Sequence, residues 1–105
     1  MNLHQILETA QALGFNAELY DDSNEYGYYE YVRVKGLGAF FEIHRVIERC
    51  EIHGLSIYYE AHIRSYHAVP DSKLLKTLAD VKDWLTTNAH FLEIERIEPD
   101  LSIFF

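Results

Sequence analysis

The sequence predicts an α+β fold: an antiparallel sheet of about four to six strands, with an N-terminal helix and a second helix packed on one face. Three observations carry this. Apolar residues recur at helical spacing near the start of the chain and again after residue 77. Between those stretches lie segments in which apolar and polar residues alternate with the period of a half-buried strand. Short runs of Gly, Asp, Asn and Ser separate the segments, as antiparallel neighbours require. At 105 residues the chain reads as a single domain, 1–105, long enough to bury a core without disulfides or metals.

Asn2 and Gln5 have the spacing of a capping box, and Leu3, Ile6, Leu7, Ala10 and Leu13 form the apolar stripe behind it. Gly14 is placed to end the helix, which spans 3–13. Residues 16–21 read as a strand with Ala17 and Leu19 on one face. The loop Asp22–Gly27 follows, and then a strand over 28–35, in which Val32 and Val34 alternate with Tyr31, Arg33 and Lys35. His53-Gly54 reads as a two-residue hairpin turn that folds residues 40–52 back on 55–63. That register pairs Cys50 with Ile57 and His44 with Ile63, which buries His44 and Glu48 beside apolar residues. A bulge near 46–49 is expected to relieve the conflict and turn Phe41 and Ile43 inward. Pro70-Asp71-Ser72 marks a loop, and Thr77 with Asp80 forms a second capping-box pair before a helix over 78–87. Its stripe is Leu78, Val81, Trp84 and Leu85, with Leu74 and Leu75 as a backward extension. Residues 91–97 read as a last strand, and Leu101-Ser102-Ile103-Phe104-Phe105 as a hydrophobic end that must dock.

The lone Cys50 excludes an internal disulfide, and no stretch has the roughly 18 consecutive apolar residues of a membrane span. With no signal-peptide pattern at its start, the chain is expected to be cytoplasmic. The net charge of −8 is uneven. Residues 1–32 carry six acids and no Lys or Arg. Residues 33–67 carry five basic and four acidic side chains, and 68–105 four basic and seven acidic. Direct nucleic-acid binding, which rests on phosphate neutralisation by Lys and Arg, is disfavoured.

No catalytic or cofactor motif is present: the serines stand in no nucleophile-elbow context, and Gly36-Leu37-Gly38 lacks the lysine and helix of a phosphate loop. Cys50 and His53 have ligand-like spacing, but a structural zinc site wants four convergent ligands, so no metal or cofactor is expected. The stretch Asp21-Asp22-Ser23-Asn24-Glu25-Tyr26-Gly27-Tyr28-Tyr29 concentrates acid and tyrosine around one turn. Acidic groups steer a basic partner, and tyrosine gives rigid contact area at low entropic cost. Asp21, Asp22 and Glu25 are therefore assigned to steering, and Tyr26, Tyr28 and Tyr29 to contact. Its plain alternative is a solvated loop. A second reading is a small enzyme or ligand-binding domain using Glu60, His62 and Tyr58 on one sheet face, where a carboxylate beside an imidazole can move protons. A third is a homodimer closed through Ile103-Phe104-Phe105 or an open sheet edge.

The acidic loop Asp21-Asp22-Ser23-Asn24-Glu25, the single-domain length and the closing pattern Thr77-Leu78-Ala79-Asp80-Val81-Lys82-Asp83-Trp84-Leu85 give the chain a general character. In that character it resembles the small acidic proteins with which phages and mobile elements inhibit host defence, of the anti-CRISPR and DNA-mimic type. The resemblance implies a non-enzymatic inhibitor that docks an acidic surface on a basic partner, a nucleic-acid-binding complex.

Overall fold

A computed structural model describes residues 1–25, 29–52, 54–65 and 72–93. Its elements in chain order are α1 (Leu3–Ala12), β1 (Asn16–Asp21), β2 (Glu30–Lys35), β3 (Ala39–Cys50), β4 (Gly54–Ser65), β5 (Ser72–Leu75), α2 (Leu78–Asn88) and α3 (His90–Glu93). The strands form one antiparallel sheet in sequence order, β1-β2-β3-β4-β5. This is the α+β arrangement the sequence predicts. No helix of the described residues is long and apolar enough to cross a membrane.

Both predicted capping boxes form. Asn2 Oδ1 accepts from Gln5 N at 2.9 Å while Gln5 Oε1 accepts from Asn2 N at 3.0 Å. At the other end of α1, Gly14 adopts φ +91, so that its N–H reaches Gln11 O and that of Phe15 reaches Ala10 O. These two bonds satisfy carbonyls the helix would otherwise leave open. Ahead of α2, Thr77 Oγ1 accepts from Asp80 N, and Asp80 Oδ2 accepts from the backbone N–H of Lys76 and Thr77, all at 3.1 Å. The bonds from Lys76 and Thr77 hold the Asp80 carboxyl below its ordinary value.

The helices cover one face of the sheet. Ile6 and Ala10 of α1 and Val81, Trp84 and Leu85 of α2 pack with Ala17, Val32, Val34, Phe41, Ile43, Ala61, Ile63 and Leu75. Phe41 meets Trp84 edge-on, ring centroids 4.8 Å apart. Each fully buried side chain of this size contributes about 1.5–3 kcal/mol, so this layer holds the sheet in place.

Three sequence expectations are corrected. The β3–β4 hairpin closes at Cys50 with Gly54, which has φ +74, and pairs without interruption back to Ala39 with Ser65. The register is thus three residues from the predicted one, and an odd shift exchanges the two faces of a strand. Phe41 and Ile43 point inward with no bulge, and His44 lies on the opposite face. Residues Ser72–Leu75 form a fifth strand rather than a loop and a backward helix extension. Leu75 pairs with Tyr59 and is fully buried, and the capping box at Thr77 stops α2 from running further back. Residues 91–93, read as the start of a strand, lie instead in the helical turn α3, whose Leu92 is buried and accepts from Leu37 N at 2.9 Å. The rest of that strand, and the hydrophobic end 101–105, lie outside the described residues.

Candidate functional site

With all helices on one side, the other side of the sheet is free of secondary structure among the described residues. Alternation places Glu18 and Tyr20 of β1, Tyr31, Arg33 and Lys35 of β2, Phe40, Glu42 and His44 of β3, and Tyr58, Glu60, His62 and Arg64 of β4 on this open face. Glu18, Arg33, Glu42, His62 and Ser72 stand in one row across the five strands, and Tyr20, Tyr31, His44, Glu60 and Leu74 in the next.

Glu42 is the centre of this face and is 8% exposed. Its Oε2 accepts from Arg33 Nη2 at 3.0 Å and its Oε1 from Arg64 Nε at 3.2 Å. His44 Nε2 stands 3.6 Å from Oε1, beyond hydrogen-bond reach but close enough for a charge to be felt. Burial alone would push the Glu42 carboxyl up; the hydrogen bonds from Arg33 and Arg64, with the nearby His44, outweigh it and hold the group below its ordinary value. His44 moves the same way for a different reason. Burial disfavours its imidazolium more than Glu42 favours it, and His62 and Arg64 add to the depression. The Nε of Arg33 and the Nε2 of His44 are buried without a hydrogen-bond partner among the described residues.

Aromatic rings brace the same cluster. Tyr20 stacks on Tyr31 at 5.5 Å with an interplanar angle of 9°, and Tyr31 stacks on His44 at 4.7 Å. The Arg33 guanidinium lies 4.8 Å from the Tyr20 ring centre and 4.7 Å from that of Phe40. A guanidinium held between ring faces is fixed in orientation as well as charge.

The acidic loop is tied to this cluster through one hydroxyl. Tyr31 Oη donates to Asp22 Oδ2 at 2.8 Å, and Arg33 Nη2 donates to Tyr31 Oη at 3.4 Å. Burial, and then the bond to Asp22, raise the Tyr31 hydroxyl above its ordinary value, so it remains a donor. The loop is further held by Asp22 N to Tyr29 O at 2.8 Å, Tyr29 N to Ser23 Oγ at 3.1 Å and Ser23 N to Asp21 Oδ1 at 2.9 Å. Ser23 keeps the Asp21 carboxyl below its ordinary value. Asp21, Asp22, Glu25 and Tyr29 are exposed together at this end of the sheet. Tyr26 and Tyr28, also assigned to contact, lie outside the described residues.

Replacing Tyr31 with Phe removes only the hydroxyl that joins loop to sheet. Tyr31→Phe is expected to lower stability by about 1 kcal/mol, read by urea denaturation, and to speed amide exchange at residues 22–25 more than in α2.

The trio Tyr58, Glu60 and His62 shares the open face as predicted, but its members are divided. Glu60 Oε1 lies 3.2 Å from His62 Nε2, while Tyr58 donates to Glu48 Oε1 at 2.9 Å. No group of three or more His, Cys, Asp or Glu among the described residues is arranged to hold a metal ion. Glu42, Arg33 and Arg64 were not singled out by sequence as a unit; the available signal was that Arg33 and Glu42 each alternate with inward-facing apolar residues.

No protein-family model matches the chain, and no curated protein or solved structure shows significant similarity to it.

Proposed function

We propose that the protein is a non-enzymatic inhibitor that binds another protein, docking its acidic, tyrosine-bearing end on a basic surface of a nucleic-acid-handling partner, with the anti-CRISPR type as the sharpest form of that reading. The observation that carries it is the bond from Tyr31 to Asp22, together with the three bonds inside the loop. They fix Asp21 and Asp22 in place before any encounter. Binding then does not have to order the loop, which otherwise costs about 0.5–1.5 kcal/mol for each immobilised side chain. The hydrogen bonds from Ser23 hold the Asp21 carboxyl below its ordinary value. Arg33 and Arg64, the cations at the centre of the open face, are both engaged by Glu42. The enzyme reading draws less support, because Tyr58 is engaged by Glu48 rather than by Glu60 and His62.

The test begins with an affinity pull-down from cell lysate, with and without nuclease, to find a basic protein retained by direct contact. Association with that protein is then measured for wild type and for Asp21→Lys/Glu25→Lys. Asp22 is left intact because it anchors Tyr31. The double variant should associate about tenfold more slowly at low salt and show a flatter salt dependence. Unchanged kinetics with a confirmed partner would remove the loop from the interface.

A further inference from the structure

We infer that His44 is an acid-operated switch on the open face: its imidazolium takes the Glu42 oxygen that Arg64 holds at neutral pH, and so releases the Arg64 guanidinium to solvent. Before that exchange the Lys and Arg side chains of β2–β4 on this face are all paired. Lys35 is held by Glu18 at 3.0 Å, Arg33 by Glu42 Oε2 at 3.0 Å, and Arg64 by Glu42 Oε1 at 3.2 Å. Release of Arg64 turns a closed charge network into a face that displays one free guanidinium to an anionic group.

Geometry decides which donor gives way. His44 Nε2 is buried, has no hydrogen-bond partner among the described residues, and stands 3.6 Å from the same oxygen that accepts from Arg64. Charging the imidazole puts a proton on both ring nitrogens. A buried charged donor without an acceptor is costly, so the ring closes the remaining gap onto Oε1. The other groups facing His44 offer no substitute. From β2, Tyr31 stacks on the ring at 4.7 Å and gives its hydroxyl to Asp22, and Arg33 is itself a cation. From β4, Glu60 lies opposite His44 but stands 3.2 Å from His62 Nε2, and the His62 ring meets that of His44 edge-on at 5.6 Å. Arg64, also from β4, repels the imidazolium, so three cations around one carboxylate are relieved by the departure of the least held. Arg33 lies between the rings of Tyr20 and Phe40 and binds the other oxygen. Arg64 is held by the longer bond, through Nε, and its side chain is 46% exposed. An exposed guanidinium loses little on exchanging a carboxylate for water. Burial keeps the His44 imidazole below its ordinary value, and the arginines hold the Glu42 carboxyl below its own, so Glu42 is still an anion when His44 takes up its proton.

A nuclear magnetic resonance titration of the purified chain from about pH 7.5 to 4 tests this without any partner protein, so its result is independent of the basic-partner reading. It follows the rings of His44 and His62 and the side-chain nitrogen signals of Arg33 and Arg64. The Arg64 Nε signal should shift with the His44 midpoint, and its order parameter should fall below about 0.6, to that of the exposed Arg49. Arg33 should keep its order through that step and loosen only at lower pH, when Glu42 takes up its proton. In His44→Gln the first Arg64 step should vanish, while in His62→Gln it should remain. An Arg64 side chain that stays ordered through the His44 midpoint, that loosens together with Arg33, or that titrates in His44→Gln as in wild type would each overturn the proposal. Should His44→Gln fail to fold by circular dichroism, His62→Gln decides: Arg64 must still loosen at the His44 midpoint.

Discussion

Glu42→Ala is expected to lower the unfolding free energy by about 2–3 kcal/mol, moving the urea midpoint by about 1–2 M. Glu42 is buried on a face that no helix covers, and it takes hydrogen bonds from Arg33 and Arg64 at opposite oxygens. Removing it leaves Arg33 wedged between Tyr20 and Phe40 with its counter-charge gone. A fully buried pair broken this way costs roughly 3–5 kcal/mol; solvent reaches both arginines here, which places the effect lower. Glu42→Gln keeps the side-chain shape and one acceptor oxygen, so it should lose about half as much. Equal stability of Glu42→Ala and wild type would mean that the cluster is an ordinary solvated surface.

Acid should destabilise the fold in two stages. His44 has a folded-state value below the ordinary 6.5, chiefly because burial disfavours its charge. As pH falls through 6.5 the unfolded chain takes up a proton at this residue before the folded chain does, so stability falls from there toward the depressed folded value. Facing His44 are Tyr31 from β2, Glu42 on its own strand, and Glu60, His62 and Arg64 from β4. Glu42 has a folded-state value below the ordinary 4.5, so its contribution is present above that pH and is lost as pH drops through it. Urea unfolding at about pH 7.5, 5.5 and 4 should show both losses. His44→Gln should abolish the decline between the two higher values, and Glu42→Gln should shrink the one below. A decline between the higher values that survives in His44→Gln would assign it to another histidine.

Much of the fold was legible because its signals are local. The capping pairs Asn2 with Gln5 and Thr77 with Asp80 place both long helices, since a cap needs only residues three apart. The alternation of Ala17 and Leu19, and of Val32 and Val34, assigns the inner face of β1 and β2. The hairpin was found but set three residues out of register, because a turn next to Gly54 can close in more than one way. Turning His44 and Glu48 inward among apolar residues is unfavourable, and that conflict is itself the mark of a wrong register. β5 was missed because four residues are too short to show a period, and Leu74 and Leu75 fit a helix equally well.

The candidate site divides along the same line. The acidic stretch follows from composition, and its Asp21, Asp22, Glu25 and Tyr29 are exposed. Tyr31 as the tie between loop and sheet, and Glu42 as the anion shared by Arg33 and Arg64, depend on pairing between strands 9 to 22 residues apart in sequence. By itself the sequence determined what is set by neighbours in the chain: two helices, the inner faces of β1 and β2, an acidic end. Only the tertiary structure decided the hairpin register, and with it which charged residues share a face, because strand register is chosen by the burial of Phe41, Ile43 and their partners across the whole sheet.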